Sequence, residues 1–255
     1  MSDAVRERVV EAGGHRVVCL DDGASDGDGV VVLYTHMDAE HARAVYALLP
    51  PHRPRPVLAA VTDAVWTRDL SPWPAPGLSA RSEAFAGGAD AHTAALTGAV
   101  VPALEAQLAL RPAHRGLVGY SLAGLFALHA AVHTAAFDLC ASVSGSLWYD
   151  GFVDHLAGVL GASPDRAPPR ALRAAYLSLG SREARNARSA RMRTVGAATA
   201  RVRDLLAAAG VATVFETNPG SHYDDVPARI ARAVLWLCDH ASSSCSSCSS
   251  SSGSE

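Results

Sequence analysis

Short apolar runs bounded by turn residues alternate along the chain with segments whose apolar positions recur at helical spacing. The alternation predicts strands separated by helices. Arg6 to Leu20 alternates around Gly13-Gly14 and predicts a hairpin, and after the loop DDGASDGDG the run Val30 to Tyr34 predicts a buried central strand. Glu40 to Leu49 has helical spacing and stops at Pro50-Pro51, and Val57 to Val61 is the next strand. Thr62 to Ala91 is rich in Trp, Pro and Gly without a sustained period, which predicts a long surface loop of the kind that often carries function. Beyond it come a helix over Thr93 to Leu110, a strand over Gly116 to Val118, a small-residue helix over Leu122 to His133 and strands over Leu139 to Val143 and Ala174 to Leu179. A helix over Thr194 to Ala209, a last strand over Val211 to Glu216 and a closing helix near Ala228 to His240 complete the pattern. Strands that alternate with helices through right-handed crossovers give a mostly parallel central sheet with helices on both faces, an α/β fold.

Length changes this picture little, since 255 residues suffice for one large core, and one domain over residues 1–240 is expected. From Ala241 the chain is Ser- and Cys-rich (ASSSCSSCSSSSGSE) and has too little apolar surface to offset its ordering entropy, so residues 241–255 are read as a disordered tail. The net charge is -3, and the 22 basic residues, all Arg, are scattered among 25 acidic ones; no basic stripe suggests nucleic acid as a partner. No apolar stretch reaches the ~18 residues of a membrane span, and charges in MSDAVRERVVEAGG interrupt any secretory apolar core, so a cytoplasmic location is expected. Five cysteines are read as thiols. Cys245 and Cys248 form a CxxC without two further ligands nearby, and no metal site is assigned.

Chemistry enters at Gly119-Tyr120-Ser121-Leu122-Ala123-Gly124, which lies between a strand pattern and a helix. That context makes it a candidate nucleophile elbow: the turn is tight, and small residues must stand two places before and after the serine, as Gly119 and Ala123 do. Ala123 replaces the usual second glycine. On the hexapeptide alone, a tight strand-to-helix turn without chemistry is an equal reading. Partners in the chain order Ser, acid, His tip the balance. His222, in NPGSHY directly after the last strand, is placed to take the serine's proton and return it to a leaving alcohol. Glu183, in SLGSRE just past the strand Ala174 to Leu179, stands where an orienting carboxylate belongs, with a surface pair to Arg182 or Arg185 as its plain alternative and Asp224 and Asp225 as rivals. The remaining histidines lack that placement; His129 and His133 fall on a helix, and His92, His114 and His155 flank helices or loops, most of them as solvated or packing residues. An oxyanion needs the backbone N–H of Leu122 and a second donor from HMDAE after the early strand, for which Glu40 is chosen ahead of Ala39. His36 lies in the same segment and could be mistaken for a base.

The segments LYTHMDAE, WTRDLSPWPAP, FAGGADAHTAALTGAVVPALE, GLVGYSLAGLFAL, FDLCASVSGSLWYDGF, YLSLGSREARNARSARM and PGSHYDDVPARI, in that order, resemble the esterase family whose members open ferric catecholate-siderophore trilactones, and more distantly the esterase D and mycolyltransferase relatives. The likeness runs from about Val30 to Cys238. It implies the α/β-hydrolase fold, a nucleophile at Ser121, a base at His222 and an acid at Glu183, with no cofactor and a small-molecule ester, such as a ferric siderophore, as partner. MDAE stands where relatives usually have aspartate followed by glycine. The likeness also gives the long loop a role: Trp66, Arg68, Asp69 and Trp73 would border the cleft and Trp148 and Tyr149 would face them, a setting for a bulky, partly anionic ester. The same aromatics could instead plug the loop onto the sheet. A serine esterase is the first reading. An acyltransferase that passes the acyl group to another alcohol and a catalytically silent ligand binder are the alternatives.

Overall fold

In a computed structural model the chain is described over residues 5–23, 28–79, 81–161, 172–186 and 189–242. Ten strands are found among them: β1 (Arg6–Ala12), β2 (His15–Asp21), β3 (Asp28–His36), β4 (Val57–Val61), β5 (Pro74–Ala75), β6 (Phe85–Ala86), β7 (Arg111–Tyr120), β8 (Leu139–Val143), β9 (Ala174–Gly180) and β10 (Ala212–Asn218). The helices are α1 (Ala39–Ala47), α2 (Trp66–Asp69), α3 (Ala89–Ala95), α4 (Val101–Gln107), α5 (Leu122–His133), α6 (Phe152–Gly161), α7 (Glu183–Asn186), α8 (Val195–Ala208) and α9 (Val226–Ser242). Eight strands form one sheet in the order β1-β2-β4-β3-β7-β8-β9-β10. The contacts β1/β2 and β2/β4 are antiparallel and every later pairing in it is parallel. This is the α/β-hydrolase arrangement, with the predicted hairpin at one edge.

Helices cover both faces because the inner strands are apolar on both. On β9, Ala175, Leu177 and Leu179 pack into the core that holds α5, α6 and α8, whereas Ala174 and Tyr176 face α1 and α9. That period of two is what a parallel strand buried on both sides must supply. α9 buries Ile230, Ala233, Val234 and Leu237, one stripe at helical spacing. In α5 every residue from Leu122 to Val132 is buried, which is why it is built of small and apolar residues and shows little amphipathicity. No helix among the described residues is long and apolar enough to cross a membrane.

Several boundaries differ from the sequence pattern, each for a physical reason. β7 begins at Arg111 rather than Gly116, because His114 and Arg115 are held in the sheet by carboxylates: Arg115 makes two bonds to Glu105 at 2.6 and 2.7 Å, and its backbone N–H donates to Asp138 at 2.9 Å. Tertiary pairing overrides the polar composition there. The helix expected from Thr93 starts at Ala89 and passes through a π-helical turn, Leu96–Val100, before α4. The long loop contains α2 and the two-residue ribbon β5/β6. α6 and α7 were not anticipated at all. Residues 241 and 242, placed in the expected tail, belong instead to α9, which runs to Ser242 with Ala241 buried; the rest of that segment, 243–255, lies outside the described residues.

Candidate active site

Ser121 sits at the turn from β7 into α5 with φ 58 and ψ -121, a conformation that strongly disfavours a side chain and costs about 1–3 kcal/mol. The surroundings hold it there. Its N–H donates to Val143 at 3.0 Å, and its carbonyl accepts from Gly124 and Ser146, each at 3.0 Å. A Cβ on Gly119 would lie 2.0 Å from the carbonyl oxygen of Ala123, so only glycine fits two places before the serine. The methyl of Ala123, by contrast, is fully buried in the core, and the turn accommodates it.

The loop after β10 carries His222 back over this turn. Its Nε2 lies 3.1 Å from Ser121 Oγ and its Nδ1 2.9 Å from Glu183 Oε2. Glu183 opens α7 directly after β9 and is only 7% exposed. Burial alone would raise its pKa, but bonds from His222, Ser144 Oγ at 2.7 Å, the Gly180 N–H at 2.5 Å and Arg229 at 2.8 Å outweigh burial and hold the carboxyl at about 2. It is a carboxylate at every pH where the protein would work.

Two residues not anticipated from sequence brace the loop. Arg229, on α9 and buried, donates from Nη2 to Glu183 and from Nη1 to the Ser221 carbonyl at 3.0 Å and to Tyr120 Oη at 3.1 Å. Tyr120 in turn donates its hydroxyl to the backbone carbonyl of His222. The only available signal for Arg229 was its position on the apolar stripe of α9, where an arginine must be paired. Asp224, a rival acid in the sequence, turns its carboxylate onto Ser221, accepting from the N–H at 2.7 Å and from Oγ at 3.0 Å. The rings of His36 and His92 meet at Nε2 atoms 2.8 Å apart; both are buried and neither lines the serine's cavity.

A cavity of about 420 Å³ opens over Ser121, lined by Trp66, Phe85, Leu122, Trp148, Met192 and His222 among others. Leu122 is the first residue of α5, so its N–H belongs to the set a helix leaves without an internal acceptor. Glu40 does not line the cavity; beside it the Asp38 carboxylate caps α1 and accepts from the His41 N–H at 2.8 Å. From that segment His36, Met37, Asp38 and His41 line an adjoining cavity of about 290 Å³ that shares Trp66 with the serine's cavity.

Of the six expected substrate contacts, the structure brings only Trp66 and Trp148 to the wall of the serine's cavity. Trp73 is a plug: its Nε1 donates to the Asp150 carbonyl at 2.9 Å, and it packs on Tyr149 and Phe152. Tyr149 is buried and donates to the Trp73 carbonyl at 2.6 Å. Arg68 and Asp69 pair with each other at 2.6 Å, and Asp69 also accepts from the Val65 N–H at 2.7 Å. Their charges close α2 and do not face the cavity.

A serine, an imidazole and a carboxylate joined in that order beneath an open cavity invite comparison with known proteins. The model of the family described as Putative esterase matches residues 41–223, most of the chain. The chain belongs to this family. A Bacillus subtilis relative, the uncharacterized protein YbbA, is 29% identical over 126 residues, which is 48% of this chain and 47% of that protein, so the match spans about half the relative's length. Among solved structures, the siderophore hydrolase EstA from Aspergillus nidulans superposes with a TM-score of 0.70 at 18% identity, covering 93% of this chain and 94% of that one. An IroE-like serine hydrolase from Shewanella oneidensis gives 0.70 at 18% identity, over 92% of this chain and 81% of that one. At such identities the likeness establishes a shared fold.

Proposed function

We propose that the protein hydrolyses carboxylic esters through an acyl-enzyme on Ser121. The hydrogen-bonded series Ser121 Oγ, His222 Nε2, His222 Nδ1, Glu183 Oε2 carries this reading. Ser121 Oγ bonds to the ester carbonyl carbon as its proton passes to His222 Nε2, and the oxyanion is met by the Leu122 N–H. The tetrahedral adduct then collapses, the C–O bond to the alcohol breaks, and the alcohol leaves with the proton from His222. Water repeats the sequence and releases the acid. Glu183 stays ionised throughout, fixes the imidazole's tautomer and stabilises the imidazolium that forms.

The substrate class follows from the walls. Trp66, Phe85 and Trp148 offer aromatic faces on a cavity large enough for a ring-bearing ester, and the siderophore and enterobactin hydrolases of the same fold support siderophore-type or lactone esters. Arg68 is occupied by Asp69, so stacking rather than charge supplies the recognition. A panel of ferric and iron-free trilactones beside p-nitrophenyl acetate tests this. Trilactones should be preferred in kcat/KM, and Trp66→Ala should lower kcat/KM for them by about tenfold while sparing the acetate, as expected for loss of about 1.4 kcal/mol of stacking. Equal losses on both esters, or no trilactone turnover, would reject the substrate assignment.

A further inference from the structure

At the opposite end of α5 from Ser121, three histidines converge. His129 and His133 are one turn apart on α5, and His155 approaches from α6; one ring nitrogen of each lies within 4.8 Å of the other two. We propose that His129, His133 and His155 form a binding site for a divalent transition-metal ion of the zinc type, with Asp90 holding the His129 ring.

The geometry supports this in three ways. First, His133 Nε2 and His155 Nε2 are 3.1 Å apart, close to the about 3.3 Å between two nitrogens bound at 2.0–2.1 Å to one tetrahedral zinc. Second, the other ring nitrogens are tied as those of metal-bound histidines are. His133 Nδ1 donates to the His129 carbonyl at 2.7 Å, which fixes the tautomer that leaves the Nε2 lone pair free. His129 Nε2 meets the Asp90 carboxylate at 2.7 Å, a carboxylate–histidine pair. Third, His129 is 3% exposed and its Nδ1 is buried without a hydrogen-bond partner. A simple hydrogen bond between His133 and His155 explains the 3.1 Å contact but leaves that buried nitrogen unanswered.

His133 is exposed and His155 half-buried, which gives an ion a path from solvent, and three imidazoles suit zinc better than hard oxygen-seeking cations. An ion here would tie α5 to α6, the helix that follows the segment carrying Trp148 to the wall of the serine's cavity. Because it would bind the folded chain only, it should raise thermal stability by mass action.

Calorimetric titration of the full chain with zinc chloride tests the proposal, with Cys245→Ser and Cys248→Ser introduced so that tail thiolates cannot bind. One equivalent should bind and raise Tm. His133→Ala and His155→Gln should each weaken binding at least tenfold, Asp90→Asn about 10- to 100-fold, and both effects on Tm should shrink in step. His133→Ala should still hydrolyse p-nitrophenyl acetate as the parent does, which shows that its fold is intact. No bound equivalent in the parent, or binding of equal strength in His133→Ala and His155→Gln, would overturn the proposal.

Discussion

Replacing His222 with alanine should lower p-nitrophenyl acetate turnover by about 10⁴-fold or more while leaving the chain folded, at the cost in stability of one hydrogen bond to Glu183. The loss is large because, among the described residues, the side-chain hydrogen bond of Ser121 Oγ goes to His222 Nε2 at 3.1 Å. The fold should survive because the loop is held through its backbone. Tyr120 donates to the carbonyl of His222, not to its ring, and Arg229 holds the Ser221 carbonyl at 3.0 Å, so the alanine variant keeps both braces. Turnover within tenfold of wild type would remove His222 from the reaction.

Glu183→Gln should show two effects that a surface carboxylate would not. Turnover should fall by about 10² to 10⁴-fold, since glutamine can hold the Nδ1 position only in the wrong tautomer and cannot stabilise an imidazolium. Stability should fall as well, in a pH-dependent way. The Glu183 pKa is depressed from 4.5 to about 2, so the carboxylate adds stability that is fully present above pH 4.5 and is lost as pH falls toward 2. The stability difference between wild type and Glu183→Gln should therefore be about 3 kcal/mol near neutral pH and close between pH 4.5 and 2. A pH-independent difference in chemical denaturation would contradict the assigned network. Asp224→Asn should be nearly silent in turnover, because its carboxylate is spent on Ser221.

The order of strands and helices was legible because parallel strands buried on both faces must be apolar and because glycines and prolines punctuate them. Ser121 and His222 were legible for a different reason: a tight turn needs small neighbours, and chain order fixes which loops meet at the top of the sheet. What escaped were contacts whose logic is tertiary. Arg115 and His114 look like loop residues until Glu105 and Asp138 pair with them. Arg229 looks like one more surface arginine until it is seen among Ile230, Ala233 and Val234 on the buried face of α9. The aromatic loop residues were ambiguous because area and ring character fit a plug and a cleft wall equally; Trp73 and Tyr149 proved to be plugs by their bonds to Asp150 and to each other. The histidine cluster could not be seen because it needs α6, which the pattern did not reveal, to bring His155 to His133.

Chemical labelling of the serine tests the whole account most directly. Treated with a fluorophosphonate and digested, the wild-type chain should carry one covalent phosphonyl group, on the peptide that contains Ser121, and Ser121→Ala should carry none. An unlabelled wild-type chain, or label retained on another residue in Ser121→Ala, would contradict it.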